Sequence, residues 1–246
     1  MAGRGCSSCL LRAGGKSVLV DAGEPCSLRL SGSGVSPASL DAVLITHGHA
    51  DHTGGLPMLV QSAWLAGRKS ELPLYLPGEL AGPLRRWLEA IYLPDHLLGF
   101  TVRLQPWRAG EAEEVTESVM ASPFRTTHLD GLRKRIDPEA STGFEVFGLA
   151  IETGGKRVVF SSDLAAAEDL TDPLSQPCDV LVCELAHVEP GQLFRFLQTR
   201  PVQRLVLNHV APSWQGREAE IRAMARELLP RVGEVMIPCD GDEIVF

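Results

Sequence analysis

The chain has 246 residues, 44% of them hydrophobic and 22% charged, and is long enough to withdraw roughly 70–75% of its unfolded surface from water; disorder, collagen-like repetition and a disulfide-stapled miniprotein are excluded. A formal charge of −8 provides no general basic field for a nucleic acid backbone, so any anionic partner must be attracted locally. With 24 Gly and 17 Pro, the chain reads as many short elements joined by tight connections. In chain order, period-two or all-apolar runs predict strands at 9–12, 17–20, 42–46, 74–76, 100–104, 143–151, 157–160, 180–183, 204–207, 234–237 and 244–246, with a further apolar run at 119–124. Helical periodicity occupies 56–65, 79–92, 191–199 and 218–229. Strands come in pairs first and alternate with helices later, which predicts two packed sheets with helices outside, a four-layer α/β (αββα) sandwich built as one domain over 1–246.

No apolar run approaches the ~18 residues of a bilayer-spanning helix, and residues 1–15 lack the apolar stretch of a secretory signal. The expectation is a cytoplasmic protein without membrane association, its six cysteines reduced and Cys6-Ser-Ser-Cys9 structural.

The chemistry is concentrated after the strand Ala42-Val-Leu-Ile-Thr46, which runs into His47-Gly-His49-Ala-Asp51-His52 and then Thr53-Gly-Gly55. Three imidazoles and a carboxylate within six residues suit zinc or a similar divalent ion. Four such groups crowd a single ion, so two ions are the simpler solution. On extended chain His47 and His49 share a direction, while Asp51 and His52 lie past the bend and face a second ion. Gly54 and Gly55 are expected to let the backbone turn sharply and approach the site.

This HxHxDH motif followed by Gly-Gly resembles the signature of the metallo-β-lactamase superfamily, and the resemblance covers nearly the whole chain. It implies that fold, and it implies later ligands at His128 after the 119–124 run, at Asp163 in Val158-Val-Phe-Ser-Ser-Asp163, and at His209 in Leu205-Val-Leu-Asn-His209. Carried over position by position, His47, His49 and His128 hold one metal, Asp51, His52 and His209 the other, and Asp163 bridges them. Two divalent ions, zinc first with manganese or iron as alternatives, then share a water ionised near neutral pH, and hydrolysis follows. With two carboxylates and one hydroxide the site keeps a single positive charge, which favours an anionic substrate. A diiron redox member would carry Glu where His49 stands.

Other segments resemble the ribonuclease Z-like phosphodiesterase branch: Thr142-Gly-Phe-Glu145 and the paired strands leading to Asp163, Leu76-Pro-Gly78 before a helix, Asp21 in Val20-Asp-Ala-Gly23, and Cys239-Asp-Gly-Asp at the end. Two departures matter. Bacterial ribonuclease Z inserts a long arm that grips transfer RNA between its third histidine and the bridging aspartate, and the short interval from His128 to Asp163 has no room for one. Ser162 also stands where that branch has glycine. The expected substrate is therefore a small phosphodiester or nucleotide-like molecule rather than a long nucleic acid. Arg133-Lys134-Arg135, on a loop past His128 together with Arg125, is expected to hold its phosphate oxygens.

His187 is the candidate to protonate the leaving oxygen or to orient substrate, with Asp51 the other residue assigned to catalysis. Asp21 and Glu184 are expected to hydrogen-bond ligand imidazoles, and Trp214 to line the pocket, whereas His96 reads as a surface or substrate-lid residue without a catalytic role. The same hydroxide would attack a lactone or thioester, which is the alternative reading; a non-catalytic or redox member is a weaker one. A homodimer is an open option, since the sequence does not fix the oligomeric state.

Overall fold

The computed structural model describes residues 4–137, 139 and 143–246; Thr142 of the 142–145 segment lies outside them. The described chain divides into two compact units. The first comprises residues 1–108 with 115–118, and the second 109–114 with 119–246.

In the first unit the chain forms β1 (Cys9–Ala13), β2 (Lys16–Val20), α1 (Cys26–Gly32), β3 (Ala42–Leu44), α2 (Ala50–Thr53), α3 (Leu56–Leu65), β4 (Leu72–Leu76), α4 (Gly78–Ala90), α5 (Asp95–Leu98) and β5 (Val102–Pro106). Among the described residues its sheet has the order β1-β2-β3-β4-β5. Only the β1–β2 hairpin is antiparallel, so β2 to β5 end on one edge. The central strand β3 is fully buried at Ala42, Val43 and Leu44, as parallel strands covered on both faces are. Its core joins Leu19, Val43, Leu72 and Leu74 to Leu59 and Val60 of α3 and Leu84 and Leu88 of α4, the last pair spaced i, i+4 on one helix face.

The edge strand β6 (Glu113–Thr116) carries the chain into the second unit. There follow β7 (Val119–Arg125), α6 (Asp130–Ile136), β8 (Phe147–Thr153), β9 (Lys156–Phe160), β10 (Cys178–Leu185), α7 (Pro190–Leu197), β11 (Val202–Val210), α8 (Glu218–Leu228) and β12 (Glu234–Met236). This sheet runs β12-β11-β10-β9-β8-β7-β6 among the described residues. β9 to β12 are mutually parallel. β7 and β9 are both antiparallel to β8, so β7 ends on the same edge as they do. The core of this unit gathers Val159, Leu181, Leu205 and Leu207 against Leu193, Phe194 and Leu197 of α7 and Ile221 and Ala225 of α8.

Most predicted elements occur where the periodicity put them, within a few residues. The exceptions have physical reasons. Residues 244–246 form no strand: Val245 is 84% exposed, and its carbonyl accepts from Arg204 Nη1 instead of a ladder. Residues 133–135, expected on a loop, lie in α6, which buries none of its residues and so carries no apolar stripe to announce it. α1 buries only Cys26 and Leu30, too brief a pattern to register.

Candidate metal centre

Each unit brings its predicted site residues to the edge where parallel strands end, the usual location of ligand sites in open α/β sheets. In the first unit β2 delivers Asp21 and β3 delivers Thr46 and His47 to neighbouring positions, and Asp21 N–H donates to Leu44 O across 2.8 Å. Asp21 has φ 58°, a left-handed conformation that costs a non-glycine residue free energy and is kept where the surroundings demand it. Its carboxylate accepts from Thr46 N–H at 2.9 Å, Thr46 O–H at 3.0 Å and His52 Nδ1 at 2.7 Å.

These contacts fix both tautomers. A carboxylate only accepts, so His52 Nδ1 carries the proton and Nε2 is the nitrogen with a lone pair. Thr46 gives its hydroxyl proton to Asp21, so its oxygen accepts from His47 Nδ1 at 3.1 Å, which again makes Nε2 the basic nitrogen. Imidazoles that ligate metals are held in this way, by a donor bond from the opposite ring nitrogen. His47 and His52 are buried, with ring centroids 4.1 Å apart, and the His49 ring stands 4.8 Å from that of His47. Asp51, in α2, has an oxygen 3.9 Å from His52 Nε2 and, like His49, is only partly buried.

The glycines around the motif permit close approach. Gly54 and Gly55 join α2 to α3 at negative φ, and a Cβ on Gly55 would lie 2.7 Å from both Ala22 O and Cys26 Sγ. At Gly23 a Cβ would strike Asp51 O at 2.1 Å.

In the second unit His128 follows β7, Asp163 follows β9, His187 follows β10, and His209 lies in β11. The pairing of β10 with β11 passes from Glu184↔Asn208 to Leu185↔Val210, so His209 is the extra residue of a β-bulge, with φ 43°. Bulges re-aim side chains beside functional sites. Asp163 is buried, and its two oxygens face different rings: Oδ1 lies 3.2 Å from His209 Nδ1, and Oδ2 lies 3.6 Å from His128 Nε2 and 3.7 Å from His187 Nδ1. The His187 ring centroid is 4.4 Å from that of His128 and 5.8 Å from that of His209.

Glu184 holds this cluster from behind. Its carboxylate accepts from the backbone N–H groups of Leu164 at 3.2 Å, of His187 at 2.8 Å and of Ala186, and it lies 3.4 Å from His187 Nδ1. The cluster thus contains the second unit's share of the predicted ligands together with His187 and Glu184. Sequence reasoning missed Thr46, Ser161, whose hydroxyl accepts from Glu184 N–H, and Asp169, whose carboxylate accepts from Thr127. None belongs to a motif, and each works through a partner at least 23 positions away.

Other expectations fared less simply. Arg125 is paired with Glu145 at 3.1 Å, and Trp214 donates Nε1–H to Glu189 while Arg217 stacks on its ring at 4.2 Å. Lys134 and Arg135 are exposed on α6, where the Arg133 guanidinium stands 3.9 Å from Asp130. His96 lies in α5, remote in sequence from both clusters. Among the described residues no helix is long and apolar enough to cross a membrane.

Comparison with known proteins agrees with this geometry. The family described as "Beta-lactamase superfamily domain" matches residues 16–210. Ribonuclease Z of Pseudomonas putida strain GB-1 is 42% identical over 244 residues, covering 80% of this chain and 76% of that protein. Ribonuclease Z of strain KT2440 is 31% identical over 179 residues, and there the match spans 67% of this chain but only 54% of the relative. The crystal structure of the metallo-β-lactamase fold protein YhfI from Bacillus subtilis superposes with a TM-score of 0.77 at 20% identity, over 98% of this chain and 92% of that one. The chain belongs to the metallo-β-lactamase superfamily of metal-dependent hydrolases, in its ribonuclease Z-like branch.

Proposed function

We propose that the two units act as one catalytic domain that holds two divalent cations, zinc first among them, and hydrolyses a small phosphodiester or nucleotide-like substrate. The observation that carries this reading is the division of labour within Asp163, which turns one oxygen to His209 and the other to His128. A carboxylate so placed would offer one oxygen to each of two ions. In this assignment His47, His49 and His128 hold one ion, Asp51, His52 and His209 the other, and Asp163 both. Imidazole nitrogen and carboxylate oxygen are donors that suit zinc and also accept manganese or iron.

When bound, such a pair of ions lowers the pKa of a water toward neutrality and neutralises charge at the attacked centre. Asp21 and Thr46 fix the ring planes and tautomers of His52 and His47. His187, which stands 3.4 Å from Glu184, would pass a ring proton to the departing oxygen. Arg133, Lys134 and Arg135 follow His128 within two helical turns, where cationic groups can take up phosphate oxygens. A short helix and the β8–β9 hairpin occupy the interval between His128 and Asp163, which together with the charge of −8 favours a small substrate over a long nucleic acid. Six unbridged cysteines fit a reducing compartment such as the cytoplasm.

The test is metal analysis of protein purified without added metal, beside parallel assays with bis-p-nitrophenyl phosphate, lactones and thioesters. The expected result is about two divalent ions per chain and turnover of the phosphodiester. Turnover confined to lactone or thioester would make the chain an acyl hydrolase, and full metal loading without turnover would make it a non-catalytic binder.

A further inference from the structure

The strands that deliver His128 and Asp163 are not neighbours. β8 lies between β7 and β9, so their ends are separated by two strand spacings, about 9–10 Å. Something must hold the loops beyond those ends together if His128 and Asp163 are to keep their 3.6 Å separation. One link is buried: Thr126 O–H donates to Asp163 O at 2.7 Å. The other is Asp169. Its Oδ2 accepts from Thr127 N–H and from Ala165 N–H, each at 3.1 Å, and its Oδ1 accepts from Thr127 O–H at 2.9 Å. Thr127 immediately precedes His128, and Ala165 is two residues past Asp163. A single carboxylate therefore grips both ligand-bearing loops from outside the cluster through three uncharged donors, and bonds to an ionised acceptor are about twice as strong as neutral ones.

We propose that Asp169 is a positioning residue that sets the spacing of His128 and Asp163 and thereby tunes metal affinity. The inference rests on the metal reading given above. The clasp depends on acceptor geometry rather than on charge at the metal. Asparagine at this position keeps a carbonyl oxygen for the two backbone donors, and its amide can donate to the Thr127 hydroxyl oxygen. Alanine removes all three bonds.

The experiment compares wild type, Asp169→Ala, Asp169→Asn and Thr127→Val. Cobalt(II) titration of metal-free protein reads the visible d–d bands, chelator competition reads affinity, steady-state kinetics follow, and amide hydrogen exchange is measured at Thr127 and Ala165. Asp169→Ala should weaken cobalt binding about 10–100-fold, alter its visible spectrum and lower kcat with KM unchanged. Asp169→Asn should stay within about threefold of wild type, and Thr127→Val should fall between the two. Wild-type affinity and spectrum in Asp169→Ala would overturn the proposal, as would an asparagine variant as weak as alanine. If Asp169→Ala fails to fold, Asp169→Asn and Thr127→Val carry the comparison. If wild type binds no metal, the functional reading fails, and amide exchange still decides on the clasp: faster exchange at Thr127 and Ala165 in Asp169→Ala supports it, unchanged protection refutes it.

Discussion

His52 gives its Nδ1 proton to Asp21 across 2.7 Å, with both side chains withdrawn from solvent at 1% and 3% exposure. Through that carboxylate and the Thr46 hydroxyl, the orientation of His47, just past β3, is tied to that of His52 in α2, although Asp21 stands at the end of β2. Asp21→Ala should leave three buried donors without their acceptor, at about 1–3 kcal/mol each where no water replaces it. Metal affinity should fall about 10–100-fold as the His52 ring loses its anchor. Chelator competition measures this, and an alanine variant that retains wild-type affinity would refute the role.

Asp51 and His187 are expected to fail differently. Asp51→Ala removes a ligand and should lower bound metal and abolish turnover together. His187→Ala should slow turnover about 10²–10⁴-fold, the usual contribution of a positioned proton donor, with metal content retained. Metal analysis alongside kcat separates them; an Asp51→Ala enzyme of full activity would be incompatible with the ligand assignment.

The legibility of this site in the sequence follows from the range of the interactions. His47, His49, Asp51 and His52 lie within six residues, and their residue types alone imply a metal. His128, Asp163 and His209 are each unremarkable strand-end residues, and only resemblance to a family orders them. Thr46 and Asp169 could not be read, because a hydroxyl that donates to a carboxylate 25 positions away, or a carboxylate that accepts from a residue 42 positions away, leaves no periodicity. The strands were legible for the opposite reason: β3 is buried at all three of its residues and β10 at six of its eight, and covered faces leave a mainly apolar run. α6 was misread because a helix that buries nothing needs no pattern.

Ser162 has φ 56°, and Asp163 follows it directly. A left-handed conformation costs a residue with a Cβ roughly 1 kcal/mol or more, and glycine avoids it at the expense of greater entropy in the unfolded chain. Ser162→Gly should therefore stabilise the protein by about 0.5–1 kcal/mol, raising Tm by about 1–3 °C in calorimetry, with metal binding unchanged. A lower Tm would mean that the serine hydroxyl contributes more than its backbone costs.

The cysteines give the fold an alkaline limit. Burial pushes the thiols of Cys26 and Cys178 up to about 11 and raises that of Cys183 as well, because a thiolate enclosed in apolar core loses its hydration. The folded state therefore holds these protons more tightly than the unfolded chain. The stabilisation is complete below the ordinary thiol range and is lost as pH rises toward the folded values, because the unfolded chain ionises first. Tm should be level with respect to these groups up to about pH 8 and fall between about pH 9 and 11. Cys178→Ala should start from a lower Tm and decline less steeply over that window. At neutral pH the exposed Cys6 and Cys239 should react first with a thiol reagent while Cys26, Cys178 and Cys183 stay protected until unfolding. Rapid labelling of Cys183 in the native protein, located by mass spectrometry, would contradict its complete burial.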